Sequence, residues 1–253
     1  MRFLRQSEKV EEQFDNRRFR VWLYTADTER LVLKMIIKSH EGLHKFLDGC
    51  FLLVASSIGL VRELVPINSG IFIQKDADGK IISAGEGDSC RKPRLLRPEP
   101  HQYPTLVIEA GWTQSLPELQ EKARLWFAAS RGDVKIVILV KAFPGLNKIM
   151  IEKWTMVEKA TATQEAPMTA TTIKIPQCVR KIQIFRATHI NDGHPDQFLA
   201  GSYEVEWGYL GIEFKYVFLQ RATRSSEKHL ILREAILEEF AADFWQNVYQ
   251  IDC

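Results

Sequence analysis

A chain of 253 residues, 45% hydrophobic and 26% charged, carries enough apolar mass for one sizeable core, or for a core with an appendage. Its formal net charge of +2 argues against a globally basic nucleic-acid binder and leaves local basic patches to argue from. The four cysteines (Cys50, Cys90, Cys178 and Cys253) are widely spaced with no CxxC pair, which argues against a disulfide framework or a cysteine zinc site and points to an intracellular, cytoplasmic or nuclear protein.

Residues 1–16 read as a solvated charged segment without an apolar signal core. Alternating Phe19, Val21 and Leu23 predict a strand over 17–24, and the β-branched run at 31–37 predicts a second, with Ala26, Asp27 and Thr28 as the turn. Ser39 is then the expected N-cap of a helix over 40–60, whose buried face carries Leu43, Phe46, Leu47, Cys50, Phe51, Val54 and Ile58. The longest apolar run, 50–55, is far too short to span a bilayer, so no membrane role is expected. A strand over 67–74, a turn at 76–79 and a returning arm at 80–83 form an expected hairpin.

The central unit comes next. Asp88 precedes a proline-punctuated loop, a buried strand over 105–111 carries Glu109, and a helix over 114–130 follows. Ser115 is its expected N-cap, Pro117 lies in its first turn, and Leu116, Leu119, Ala123, Trp126 and Phe127 share one face. Apolar strands at 134–140 and 148–154 complete a mixed α/β core. The polar, aperiodic stretch 158–172 reads as a linker or surface loop. Strands at 181–186 and 203–219, the latter broken near Gly208 or Gly211, and a helix over 227–249 then form a C-terminal extension. The expected division is a charged segment at 1–16, a core at 17–157, the linker at 158–172 and the extension at 173–253.

Two sets of side chains carry chemistry. Asp88 and Glu109 flank a buried strand, and an acid after Leu106, Val107 and Ile108 is costly to bury unless paired or metal-bound. Two carboxylates fixed on rigid elements can hold Mg²⁺ or Mn²⁺ for hydrolysis. The bland readings are a strand-end carboxylate reaching solvent for Glu109 and a turn residue for Asp88. Arg91, Lys92, Arg94 and Arg97 cluster beside Asp88, either as phosphate contacts or as a solvated basic loop. The second set is His40-Glu41-Gly42-Leu43-His44, an HExxH pattern that puts two imidazoles on one helical face for Zn²⁺, with Glu63 downstream as a third ligand. Lys38 and Lys45 flank that pattern, where a zinc peptidase keeps uncharged residues.

The order of helix bearing His40, hairpin, Asp88, Glu109-bearing strand, helix and strand resembles the PD-(D/E)XK restriction-endonuclease-like superfamily. More specifically, it is similar to the Uma2-like branch and to uncharacterised fungal proteins related to it. Gly87-Asp88 stands for the Pro-Asp pair, and the stretches 104–115 and 118–126 resemble the Glu-bearing strand and its following helix. The resemblance implies an α/β (α+β) restriction-endonuclease-like core and a metal-dependent nuclease acting on DNA, with Asp88 and Glu109 on the metal and a homodimer left open. It departs at Gly111, where the family carries a lysine that orients water and stabilises developing negative charge. Lys122 or Gln114 would supply that function. A catalytically silent binding or interaction module on the same fold, or the fold turned to small-molecule chemistry, is the alternative.

Overall fold

The structure is a computed structural model that describes residues 19–35, 37–67, 72–161, 171–191, 193–224 and 229–251. The charged segment expected at 1–16 lies outside the described residues. In chain order the elements are β1 (Phe19–Thr25), β2 (Arg30–Met35), α1 (Lys38–Ser57), β3 (Leu64–Pro66), β4 (Phe72–Lys75), β5 (Ile81–Gly85), β6 (Ser89–Pro93) and β7 (Leu106–Gly111). They continue with α2 (Leu116–Ala129), β8 (Ile136–Phe143), β9 (Lys148–Thr161), β10 (Thr171–Arg186), β11 (Tyr203–Glu206), β12 (Leu210–Glu213), α3 (Phe214–Val217), β13 (His229–Leu232) and α4 (Glu234–Ile251).

A seven-stranded mixed sheet in the order β11-β10-β9-β8-β7-β6-β3 is flanked by helices, so the chain is a mixed α/β protein. β7 and β8 run parallel through the crossover helix α2, and the other neighbouring pairs are antiparallel. The β4–β5 hairpin leaves the central sheet between β3 and β6 and joins β1 and β2 in a second, four-stranded sheet. β12 and β13 pair separately.

Period-two alternation assigns the two faces of the central sheet. Leu106, Ile108 and Ala110 of β7, with Ile136, Ile138 and Val140 of β8, share a core with Leu43, Leu47 and Phe51 of α1 and Leu237, Phe240 and Phe244 of α4. Val107, Val137 and Leu139 point the other way, onto Leu119, Ala123, Trp126 and Phe127 of α2. Every residue of β7 is buried because both of its faces are covered, which explains its unbroken apolar run. Truncating Leu47 in that core to Ala costs about 2–5 kcal/mol.

Several boundaries differ from the sequence reading, each for a local reason. α1 begins at Lys38, with Ile37 rather than Ser39 at the cap position and no side-chain cap. Burial of its His40 and Leu43 face fixes the start instead. Of the strand expected over 67–74, residues 68–71 lie outside the described residues and β4 takes up Phe72–Lys75; β3 precedes it on the sheet edge and ends at Pro66, which has no backbone N–H to donate. Within 158–172, β9 runs on to Thr161 and pairs it with Thr171 of β10. β-Branched threonines suit a strand, and low hydrophobicity does not exclude one. The stretch 203–219 breaks at Trp207 and Gly208, both at positive φ, and then turns helical at Phe214. The final helix starts at Glu234, because residues 229–232 alternate exposed and buried and pair with β12.

Candidate functional site

The site grows from the β6–β7 pairing. Ser89, Cys90 and Arg91 face Ile108, Val107 and Leu106, so one step outward in the same register sets Asp88 beside Glu109. Gly87 is needed at this corner: a Cβ there would come within 2.3 Å of Cys90 Sγ. The backbone thus brings the two predicted acids to neighbouring strand positions. Their side chains find different partners.

Glu109 points onto the α2 side and is fully buried. Lys122 Nζ donates to its Oε2 at 2.7 Å and to the Glu86 carbonyl at 2.9 Å, and Trp126 Nε1 donates to its Oε1 at 2.6 Å. Lys122 and Trp126 are one helical turn apart on α2, so both donors descend from one face of one helix. Helix α2 starts at the N-cap Ser115 with Pro117 in the first turn, as its sequence predicts, and Glu118 closes a capping box with Ser115. Gly111 faces Lys141 of β8, and a Cβ there would meet Leu119 Cδ1 at 2.6 Å and Lys141 Cδ at 3.1 Å. Leu119 is fully buried, so a side chain at 111 would have to displace core.

Asp88 is drawn toward α1. Its Oδ2 accepts from the Ala110 backbone N–H at 2.8 Å and lies 3.2 Å from His40 Nε2, which is also 3.0 Å from the Ala110 carbonyl. His44, one turn along, has Nδ1 2.8 Å from Ser89 Oγ and Nε2 3.3 Å from Glu41 Oε1. The two rings are 5.5 Å apart, with His40 and His44 only 2% and 1% exposed. His40, His44 and Asp88 form a group that could hold a metal ion, with one ligand atom from each within 4.8 Å of the others. The third member is Asp88. Glu63, considered from its spacing, lies in the turn after α1 and outside that group.

Electrostatics follow this division. Burial raises the Glu41 carboxyl, but hydrogen bonds from His40, His44 and Lys45 together with the charge of His44 outweigh it and hold the group well below the usual carboxylate range. Burial pushes the Cys90 thiol well above its ordinary value; Glu109 adds to this, Lys122 opposes it, and Asp88 and Glu86 add again. Cys90 therefore stays protonated between the two acids. The free thiols among the described residues are Cys50, Cys90 and Cys178.

The basic loop is tied inward. Arg91 binds Asp48 of α1 through Nε at 2.6 Å and Nη2 at 2.5 Å. Lys92 donates to the Glu99 carbonyl. Arg97 donates to the carbonyls of Tyr103, Pro104 and Asp133. These three are buried, and Arg94 alone of the four is exposed, its Nε on the Arg62 carbonyl. Gln114 lies half-buried in the turn between β7 and α2, and its Oε1 accepts no hydrogen bond among the described residues.

Sequence reading placed Lys122 near this site but missed Trp126, Ser89 and the Ala110 backbone. Trp126 was legible only as a core residue; a buried indole N–H needs an acceptor, which was the available signal. Ser89 and Ala110 act through pairing geometry that no sequence spacing encodes. No protein-family model matches the chain, and no curated protein matches it at a significant score.

Proposed function

We propose that the chain is a restriction-endonuclease-like protein that hydrolyses DNA phosphodiester bonds with a divalent metal. The observation that carries this reading is the 2.7 Å contact between Lys122 Nζ and Glu109, which brings an ammonium to the acid whose neighbour at 111 is glycine. The order of the elements on the central sheet supports it too: a helix, three antiparallel strands (β3, β6 and β7, with the β4–β5 hairpin leaving between the first two), a helix, and a strand parallel to the third.

Asp88 and Glu109 provide the hard oxygen donors that suit Mg²⁺ or Mn²⁺, and adjacent register brings them to one end of the sheet. A bound ion there would polarise a phosphoryl oxygen and acidify a water. Lys122 keeps positive charge beside Glu109, Trp126 fixes the carboxylate plane, and the Ala110 N–H fixes Asp88. Of the four basic residues of the neighbouring loop Arg94 is the exposed one, and in this reading it would meet a phosphate backbone.

A second reading, a scaffold that binds without cleaving, is favoured by the full burial of Glu109 and by donors on both of its oxygens. Plasmid cleavage in Mn²⁺, run beside calorimetric Mn²⁺ titration, separates the two. Cleavage lost in both Asp88→Ala and Glu109→Gln, with the fold retained by circular dichroism, is the expected result. An uncut plasmid and no Mn²⁺ uptake by the wild type would overturn the nuclease and leave the scaffold.

A further inference from the structure

We propose that His40, His44 and Asp88 form a site for a late first-row divalent transition metal, of the Zn²⁺ and Co²⁺ class. This goes beyond the nuclease reading and does not depend on it. Asp88 is common to both, while the histidines and Glu109 tell them apart.

Helical spacing makes the imidazole pair. Positions 40 and 44 are one turn apart, so both rings leave the same face of α1, the face that Leu43 and Leu47 bury against β6 and β7. The β6 entry then brings a carboxylate to them. The Asp88 side chain is 3% exposed, and one ligand atom from each of the three residues lies within 4.8 Å of the others. Two buried imidazoles around a buried carboxylate make up the two-nitrogen, one-oxygen set that transition metals take.

Each member is also oriented by a neutral group of the strands. The Ser89 hydroxyl holds His44 Nδ1, the Ala110 carbonyl holds His40 Nε2, and the Ala110 N–H holds Asp88 Oδ2. At metal sites outer partners fix ring orientation and tautomer through the nitrogen that does not bind the ion, which is the part Ser89 would play for His44 Nδ1. Glu41 lies against both rings, 3.7 Å from His40 Nδ1 and 3.3 Å from His44 Nε2, and Lys45 Nζ lies 2.9 Å from its other oxygen. The second carboxylate is thus already turned toward the histidines and charge-balanced from the exposed side.

The donor set decides the ion. Mg²⁺ prefers oxygen ligands and keeps several waters, which a site this closed, with two of its three donors nitrogen, does not offer. Imidazole selects Zn²⁺, Co²⁺, Ni²⁺ or Cu²⁺, and three protein ligands leave a position open for water or a substrate oxygen.

The test uses the full chain, stripped with a chelator and titrated with Co²⁺ under visible absorption and proton NMR. The expected result is one Co²⁺ per chain, ligand-field bands in the visible, and hyperfine-shifted exchangeable signals from imidazole N–H groups. Millimolar Mg²⁺ should leave the bands unchanged. Ser89→Ala, which removes only an orienting group, should weaken binding roughly 10- to 100-fold. His44→Ala should abolish it, and Glu109→Gln should keep it. No cobalt uptake by the wild type, a spectrum without imidazole signals, unchanged binding in His44→Ala, or loss in Glu109→Gln would each overturn the site. Because the signals are read on the wild type, misfolding of a variant does not remove the test. Cobalt binding with an uncut plasmid would sink the nuclease reading and leave this site standing; plasmid cleavage without the imidazole signals would do the reverse.

Discussion

The two faces of β7 treat an acid in opposite ways. On the α2 face Glu109 meets an ammonium and an indole N–H that occupy both oxygens, and the ion pair is sealed beneath Leu119 and Phe127. On the α1 face Asp88 meets a backbone N–H and a histidine, with a second histidine and a second carboxylate close by. The first environment neutralises its charge inside the chain. The second gathers two imidazoles and a further carboxylate around its acid. Two acids that are backbone neighbours are therefore chemically distinct: one meets donors from α2, and the other lies among the histidines of α1.

Removing the closed face is the strongest way to break this comparison. Glu109→Ala leaves the Lys122 ammonium buried without its carboxylate, and a loss of about 3–5 kcal/mol is expected by urea denaturation. The double change Glu109→Leu with Lys122→Met removes both charges and should recover much of that loss. A single variant as stable as the wild type would mean that the pair is not closed in solution.

Loosening the open face without touching its histidines comes next. Arg91→Ala removes two charge-assisted bonds to Asp48, which tie β6 to α1 beside His44, and should cost about 1.5–3 kcal/mol. Arg94→Ala, in the same loop but exposed, should stay within about 0.5 kcal/mol. Equal effects of the two would show that burial in this loop does not matter.

Ser115→Ala, which removes the cap of α2, should cost about 1 kcal/mol and act on the closed face alone. Cobalt affinity should not change in that variant; a change would mean that the faces are coupled through β7.

The smallest effect is in thiol chemistry. Burial first, then the charges of Asp243 and Glu239, push Cys50 up to about 11. A raised thiol favours the folded state below its ordinary value, and that contribution is lost as pH climbs toward the folded one. Iodoacetamide at pH 8 should therefore label native Cys50 far more slowly than the unfolded chain. Labelling at the unfolded rate would place Cys50 outside the α1 interface.

The central unit was the legible part of the fold. Glu109 within an apolar run, the N-cap at Ser115 and the helical face through Trp126 are local patterns, and each follows from spacing along the chain. The Thr161–Thr171 pairing and the β12–β13 pair were not legible, because threonines read as linker and the alternation of 229–232 reads equally as the start of a helix. At the site, the sequence joined Asp88 to Glu109 and His44 to Glu63. Register explains the first as a backbone relation only, and the turn after α1 replaces Glu63 with Asp88. Side-chain direction at a strand entry depends on the neighbouring backbone N–H, here that of Ala110, and no spacing rule carries that information.

β9 has its β8 partner only up to Trp154, while its pairing with β10 goes on to Thr161. From Thr155 outward the two strands pair with no third strand among the described residues, and a two-stranded ribbon alone in water is marginal. Glu158, Lys159 and Lys174 put charge on it, and Pro176 withholds one N–H, which are the devices that keep an open edge from recruiting another chain. Limited proteolysis is therefore expected to cut the outer part of this ribbon before the central sheet.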